Sequence, residues 1–249
     1  MTASMRLKEY SAQLASLVLI ILGWEIAAQT MNTNALPPAS TVFATLGGLV
    51  ADGDAFGPLF STLLRTVLGF VLGFLLGTSY GIFAATFKTF DELTKWLIQI
   101  AIFTPTLILI FLFLVAIGRT NFTVIILIAL VVMPMIGTYI RDALKDFDPD
   151  LEGMAVSYKV PLHQRVTGMY LPFLIPPMLA AGRIGFTLSW KVAFLAEIFG
   201  FPNGLGWQVR QTYQIYNVAG LLAWLCLFII TLIAIEQLMR FVERRVVTW

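Results

Sequence analysis

Apolar residues in this chain come in long runs, and polar residues are confined to the gaps between them. Six runs read as helices that cross a bilayer, for which roughly 20 apolar residues in helical geometry match the hydrocarbon thickness. They cover about 14–29, 59–87, 96–117, 122–140, 172–199 and 219–239. The first carries Glu25, and the fifth begins with Pro172 and contains Pro176 and Pro177. The second places Gly69, Gly73, Gly77 and Gly81 at every fourth position, which predicts a helix face suited to close packing inside the subunit. Between the first two runs, residues 34–57 combine Pro37-Pro38 with apolar positions Val42, Leu46 and Val50. That pattern predicts an extended turn and a short helix outside the bilayer. The expected fold class is all-α, a polytopic membrane protein of six transmembrane helices forming a single domain over 1–249.

One polar segment interrupts this pattern, 148–172, DPDLEGMAVSYKVPLHQRVTGMYLP. Phe147, Leu151, Met154, Ala155 and Tyr158 recur at helical spacing and define one apolar and aromatic face. Asp148 suits an N-cap and Pro149 the first helical position, where a missing N–H is harmless. Asp150 and Glu152 put negative charge in the first turn, where the helix dipole favours it. Lys159-Val160-Pro161 ends the helix, because proline disfavours helical geometry in the residue before it. A second short helix is expected from about Leu162, closed by Leu171-Pro172. Such a helix either docks into a partner that covers its apolar stripe or lies flat on lipid headgroups.

Composition agrees with the membrane reading: 59% of residues are hydrophobic, 12% are charged, and the mean hydropathy is +0.87. Cys226 is the lone cysteine and His163 the lone histidine, so neither an internal disulfide nor the usual His/Cys metal site is expected. A net charge of +2 gives no footprint for nucleic acid. The cations instead report topology. Arg6, Lys8, Lys88, Lys95, Arg141, Lys145, Lys159, Arg165, Arg240, Arg244 and Arg245 fall on one side, against Arg119 and Arg210 on the other. Positive residues mark the cytoplasmic side, so both termini and the 148–172 segment are expected there. Arg65, Arg183 and Lys191 fall inside the runs.

The chain resembles the membrane subunits of binding-protein-dependent ABC importers. The resemblance rests on Met154-Ala155, Tyr158, Val160-Pro161, Tyr170-Leu171-Pro172, Ala180-Ala181, Arg183, Gly185, Trp190-Lys191-Val192, Leu195-Ala196-Glu197, Phe199-Gly200 and Gly204-Leu205-Gly206. The Leu36-Pro37-Pro38 turn and the tail RFVERRVVTW are similar to the nitrate/sulfonate/taurine-type subfamily. The resemblance implies a type I ABC importer (MetI-like) transmembrane domain in the bacterial cytoplasmic, or inner, membrane. Its EAA-type loop, about 147–172, would engage an ATPase subunit through Glu152, Gly153, Met154, Ala155, Ser157, Tyr158, Lys159, Val160, Pro161, Leu171 and Pro172. Two departures stand out: Gly153 occupies the position of the usual loop glutamate, and Lys159 that of the usual glycine. The implied partners are two copies of the ABC ATPase, a solute-binding protein, a second permease copy in a homodimer, and the lipid bilayer. No cofactor is expected on the chain itself, since ATP would be bound by the separate subunit, and no GxxxxGK[ST] phosphate loop occurs here.

Ionisable groups at membrane depth usually face a bundle interior or a wet cavity. Arg183, Trp190, Lys191 and Glu197 are therefore candidates for the translocation route, the alternative being charges that pair structurally or snorkel. Three function classes compete. A solute importer accounts for the polar handle. An ion-coupled secondary transporter would show two related halves, and no repeat is evident. A membrane enzyme would need a nucleophile–base or metal constellation, which the sequence lacks. For an importer of this subfamily the solute is a small polar one, with nitrate-, taurine- or alkanesulfonate-like anions favoured; the alternative is a neutral heterocycle such as a pyrimidine precursor or riboflavin.

Overall fold

A computed structural model of the chain describes the backbone of residues 3–31 and 35–246 and the side chains of 15–31 and 35–245. The side chains of Arg6, Lys8 and Leu14, residue Asn34 and the Val247-Thr248-Trp249 end of the tail lie outside the described residues. The regular elements among the described residues are all helical. In chain order they are α1 (Ala3–Met31), α2 (Ala39–Ala51), α3 (Phe56–Thr86), α4 (Lys88–Phe103), α5 (Thr106–Ala116), α6 (Asn121–Lys145), α7 (Pro149–Ser157), α8 (Leu162–Arg165), a π-helical turn (Val166–Tyr170), α9 (Leu171–Gly200), α10 (Leu205–Gln214) and α11 (Val218–Val246).

Among the described residues, four helical stretches are each long and apolar enough to cross a membrane: α3, α6, the continuous stretch 162–200, and α11. Among the described residues, the apolar part of α1 is Ala15–Met31, which overlaps the first predicted run. The third predicted run, 96–117, is not one straight helix. It is the end of α4 followed by α5, bent by 94° at Thr104-Pro105. Pro105 supplies the reason. It has no N–H to donate, and it holds Thr104 in an extended conformation with ψ of 122°. The short helix expected outside the bilayer is α2.

The chain packs as two compact units, 1–57 with 208–229, and 58–207 with 230–249. In the first, the Trp24 indole donates to the Pro37 carbonyl (3.1 Å), fixing the turn that leads into α2. The Glu25 carboxylate accepts from the Ser40 N–H (3.0 Å) and hydroxyl (2.9 Å) in the first turn of α2. An acid inside an apolar run is thus matched to free helix-end donors.

The second unit is organised around α6. Val124, Leu127, Ile128, Val132, Ile136 and Ile140 of α6 form its core with Ile110 of α5 and Val192, Ala193 and Ala196 of α9. The glycine ladder of α3 lies against this helix. A Cβ on Gly69 would stand 2.6 Å from the Ile128 Cβ, one on Gly73 3.1 Å from the Ala129 Cα, and one on Gly77 2.7 Å from the Met133 carbonyl oxygen. On Gly81 it would lie 2.7 Å from the Gly137 carbonyl oxygen. The two backbones touch over four turns, as the spacing predicted. At one end of α6, Arg141 (3.2 Å) and Lys145 (2.5 Å) both hold Asp91 from the first turn of α4. That clamp fixes the start of the bent pair against α6.

Candidate functional site

Helix α7 forms as its sequence dictates. The Asp148 side chain accepts from the Asp150 N–H (2.9 Å), Pro149 opens the helix, and Asp150 and Glu152 occupy the first turn. At the other end, the Val160 N–H donates to the Ala155 carbonyl (3.0 Å) and the Lys159 N–H to the Val156 carbonyl (2.9 Å). This pair of bonds is a Schellman closure with Lys159 at the left-handed position, φ 55°. A residue with a Cβ pays roughly 1–2 kcal/mol for that conformation, which is why glycine is common there. Replacing Lys159 with glycine is therefore expected to stabilise the end of α7 by about 1 kcal/mol, less the extra chain entropy that glycine loses on folding. Slower hydrogen exchange of the Tyr158 and Val160 amides would register the gain, whereas unchanged or faster exchange would contradict it.

The apolar face of α7 is divided in two. Ala155 is buried, and Phe147 turns inward onto Tyr170 (ring centroids 4.6 Å apart) and Phe173 (5.1 Å). Leu151, Met154, Val156 and Tyr158 point outward, with Met154 53% and Tyr158 79% exposed. Leu162 and Val166, after the turn, are exposed as well. Gly153 has open space around its Cα, and the Ser157 hydroxyl donates back to its carbonyl (2.9 Å). Glu152 pairs with Arg165 at 3.7 Å, bracing α7 against α8. An exposed, apolar and aromatic patch on a capped, braced helix can act as a rigid knob for a complementary socket.

The expected closure of the second short helix at Leu171-Pro172 does not occur. The chain runs on from α8 through the π turn into α9, giving one helical stretch from Leu162 to Gly200. Pro172 has no N–H, and within a regular helix its ring would crowd the carbonyl four residues back. The wide turn relieves this, with the Leu171 N–H bonding to Val166, five residues earlier. Leu171 is exposed and Pro172 half-buried at the start of α9. A displacement of α8 therefore acts directly on a spanning helix, and α7 reaches it through the turn at 158–161 and the Glu152–Arg165 pair.

The four candidates within α9 separate into two environments. Lys191 is exposed and Arg183 half-buried, while Trp190 and Glu197 are fully buried. Glu197 joins neither cation of its own helix. Its carboxylate accepts from Arg65 Nη1 (2.7 Å), from the Thr62 hydroxyl (2.8 Å) and from the Gly206 N–H (3.1 Å) in the first turn of α10. Arg65 also donates to the Asn203 carbonyl (2.9 Å) and, through Nε, to Asn121 Oδ1 (2.8 Å). The Leu205 N–H donates to Thr62 Oγ1 (2.9 Å). This cage ties α3, α6, α9 and α10 together at the end of α9 remote from α7. It also accounts for the Gly204-Leu205-Gly206 motif. Gly204 has φ 111°, and a Cβ there would overlap the Glu197 carboxylate; one on Gly206 would overlap the Phe194 carbonyl. Arg65, Thr62 and Asn121 were not picked out from the sequence as site residues. The available signal was a lone arginine inside a glycine-rich apolar run, which requires a partner at that depth.

Residues 69–248 match the family described as binding-protein-dependent transport system inner membrane component. The chain is similar to the putative aliphatic sulfonates transport permease protein SsuC of Bacillus subtilis (strain 168), 25% identical over 232 residues, 92% of this chain and 84% of that protein. Two solved structures of the MetNI methionine ABC transporter in inward facing conformations share its fold. For the selenomethionine-soaked crystal form the TM-score is 0.65 at 20% identity, covering 76% of this chain and 92% of that one. For the native crystal form it is 0.64 at 21% identity, covering 77% and 93%.

Proposed function

We infer, since the chain belongs to the family of binding-protein-dependent transport system inner membrane components, that it is the translocating subunit for a small organic anion, worked by a separate ATPase. The fold is that of the MetI-like importer transmembrane domain, and the partners of such a permease are an ATPase and a solute-binding protein. The observation that carries the mechanical part is the exposed Leu151, Met154 and Tyr158 surface of α7, which the Glu152–Arg165 pair holds to α8, itself continuous with α9. In this reading the segment 147–172 seats in a cleft of the ATPase, with the termini on the same, cytoplasmic side of the inner membrane. Two ATPase copies act on a permease homodimer. ATP, bound by the ATPase and not by this chain, draws the two knobs together and reopens them after hydrolysis. Each knob moves its α9, and Arg183 and Lys191 present cationic surface to the solute. Trp190 and the caged Glu197 hold the wall behind them.

An organosulfonate is the favoured solute. The similarity to a permease named for aliphatic sulfonates supports it, and so do two cations on α9 free to meet an anion. The test is ATP-dependent uptake into vesicles carrying the permease, the candidate ATPase and its binding protein. Wild type is expected to accumulate an alkanesulfonate, and the Met154→Arg/Tyr158→Asp double variant to lose at least about 90% of that rate, since a charge replaces each central apolar contact. Full uptake by the double variant would sink the coupling assignment. Uptake of a neutral heterocycle in place of the sulfonate would replace the solute.

A further inference from the structure

An open cleft of about 420 Å³ is lined by Arg183 of α9 and by Arg240, Glu243 and Arg244 of α11. Its volume lies in the range of about 300–1,000 Å³ typical of ligand sites. A second cleft of about 230 Å³ shares Arg183 and Glu243 with it and is otherwise lined by Leu179, Leu238, Met239 and Val242. A cationic chamber and an apolar one thus meet along a common edge.

The charges of the first chamber are not balanced. Three guanidinium groups face one carboxylate. Arg240 is partly neutralised by Glu236 at 2.9 Å, yet its buried Nε–H has no acceptor. Among the described residues, the side chains of Arg183 and Arg244 make neither a hydrogen bond nor an ion pair. Like charges gathered beside an apolar surface are costly unless a counter-charge arrives, and the guanidinium fork matches the oxygens of a phosphate or sulfonate.

We propose that the paired clefts bind an anionic amphiphile: an oxyanion head among Arg183, Arg240 and Arg244, with its hydrocarbon along Leu179, Leu238, Met239 and Val242. Two sources supply this chemistry. One is an anionic phospholipid of the bilayer, since basic pockets between spanning helices take such headgroups. The other is a free alkanesulfonate. The site stands independently of the ATPase reading, because it is formed by this chain alone and is measured without the ATPase.

The experiment uses the purified full-length chain in a neutral detergent. Native mass spectrometry compares retention of phosphatidylglycerol with phosphatidylcholine, and calorimetry compares octanesulfonate with octyltrimethylammonium. At least one anionic probe is expected to bind at least about tenfold tighter than its counterpart, the scale of one charge-assisted hydrogen bond. Arg183→Gln/Arg244→Gln should abolish that preference, and Lys95→Gln should keep it, at unchanged melting temperature. If the double variant does not fold, Arg244→Gln alone, at an exposed position, should weaken the preference by a smaller factor. Selectivity for phosphatidylglycerol identifies the lipid, and selectivity for octanesulfonate identifies the solute. Equal binding of both members of each pair, or a preference unchanged in the arginine variants, overturns the proposal.

Discussion

Replacing Arg65 with methionine is expected to destabilise the protein by about 3–5 kcal/mol, the cost of leaving a buried charge without its partner. The Glu197 carboxylate is wholly inaccessible, and Arg65 is its only ion-pair partner among the described residues. Thr62 and the Gly206 N–H would still donate to it, but two hydrogen bonds do not replace a counter-ion at that depth. The same change would release Asn121 and the Asn203 carbonyl, loosening the entry to α6 and the turn before α10. Glu197→Gln should cost less by itself, since the amide keeps an acceptor for Thr62 and Gly206 and removes the negative charge. In the Arg65→Met/Glu197→Gln double variant most of the loss caused by Arg65→Met should return. Melting temperatures of the four proteins in one detergent read the cycle. If the double variant melts no higher than Arg65→Met, the two groups are not coupled and the cage is not what holds this end of the bundle.

A second large effect is expected from adding methyl groups to the glycine ladder. In Gly77→Ala/Gly81→Ala each new Cβ would press on a backbone carbonyl oxygen of α6 at 2.7 Å, and on Ile136 and Ile140 beside it. A flexible side chain could step aside, but a helix backbone cannot, so α3 must move away from α6. Overpacking of this kind costs about 1–3 kcal/mol at a single site, and two adjacent sites strain the same contact. The control is Gly47→Ala in α2, where nothing lies within 4 Å. There alanine should be neutral or stabilising by up to about 1 kcal/mol. A ladder variant that melts with wild type, or a Gly47→Ala variant that falls as far, would contradict the packing argument.

What could be read from the sequence was local. Asp148-Pro149 and Lys159-Val160-Pro161 bound α7 because caps and prolines act within a few residues of themselves. The ladder was legible for a similar reason: four glycines at one spacing define a helix face before its partner is known. The bend at Thr104-Pro105 carried its signal in Pro105, but the hydropathy of 96–117 is continuous and masked it. The π turn at Val166–Tyr170 had a weaker trace, because Pro172 announces a disruption without saying whether the helix ends or widens. The Arg65–Glu197 pair was out of reach. Its members stand 132 residues apart; Glu197 read as a candidate for a solute route and Arg65 only as a cation inside an apolar run. Spacing along α9 could show that Lys191 is unsuited to Glu197, but it could not supply the partner from α3. The Arg183, Arg240 and Arg244 cluster was hidden likewise, since Arg240 and Arg244 read only as cytoplasmic charges after the last run.

The central claim is that the exposed surface of α7 is the contact through which a separate ATPase moves α9. Co-purification with that ATPase tests it most directly, using wild type and the Met154→Arg/Tyr158→Asp variant at equal melting temperature. The account predicts that wild type retains the ATPase at a fixed ratio and that the variant loses it. A folded variant that keeps the ATPase, or a folded wild type that binds none, would contradict the claim and leave α7 as a helix lying on the lipid headgroups.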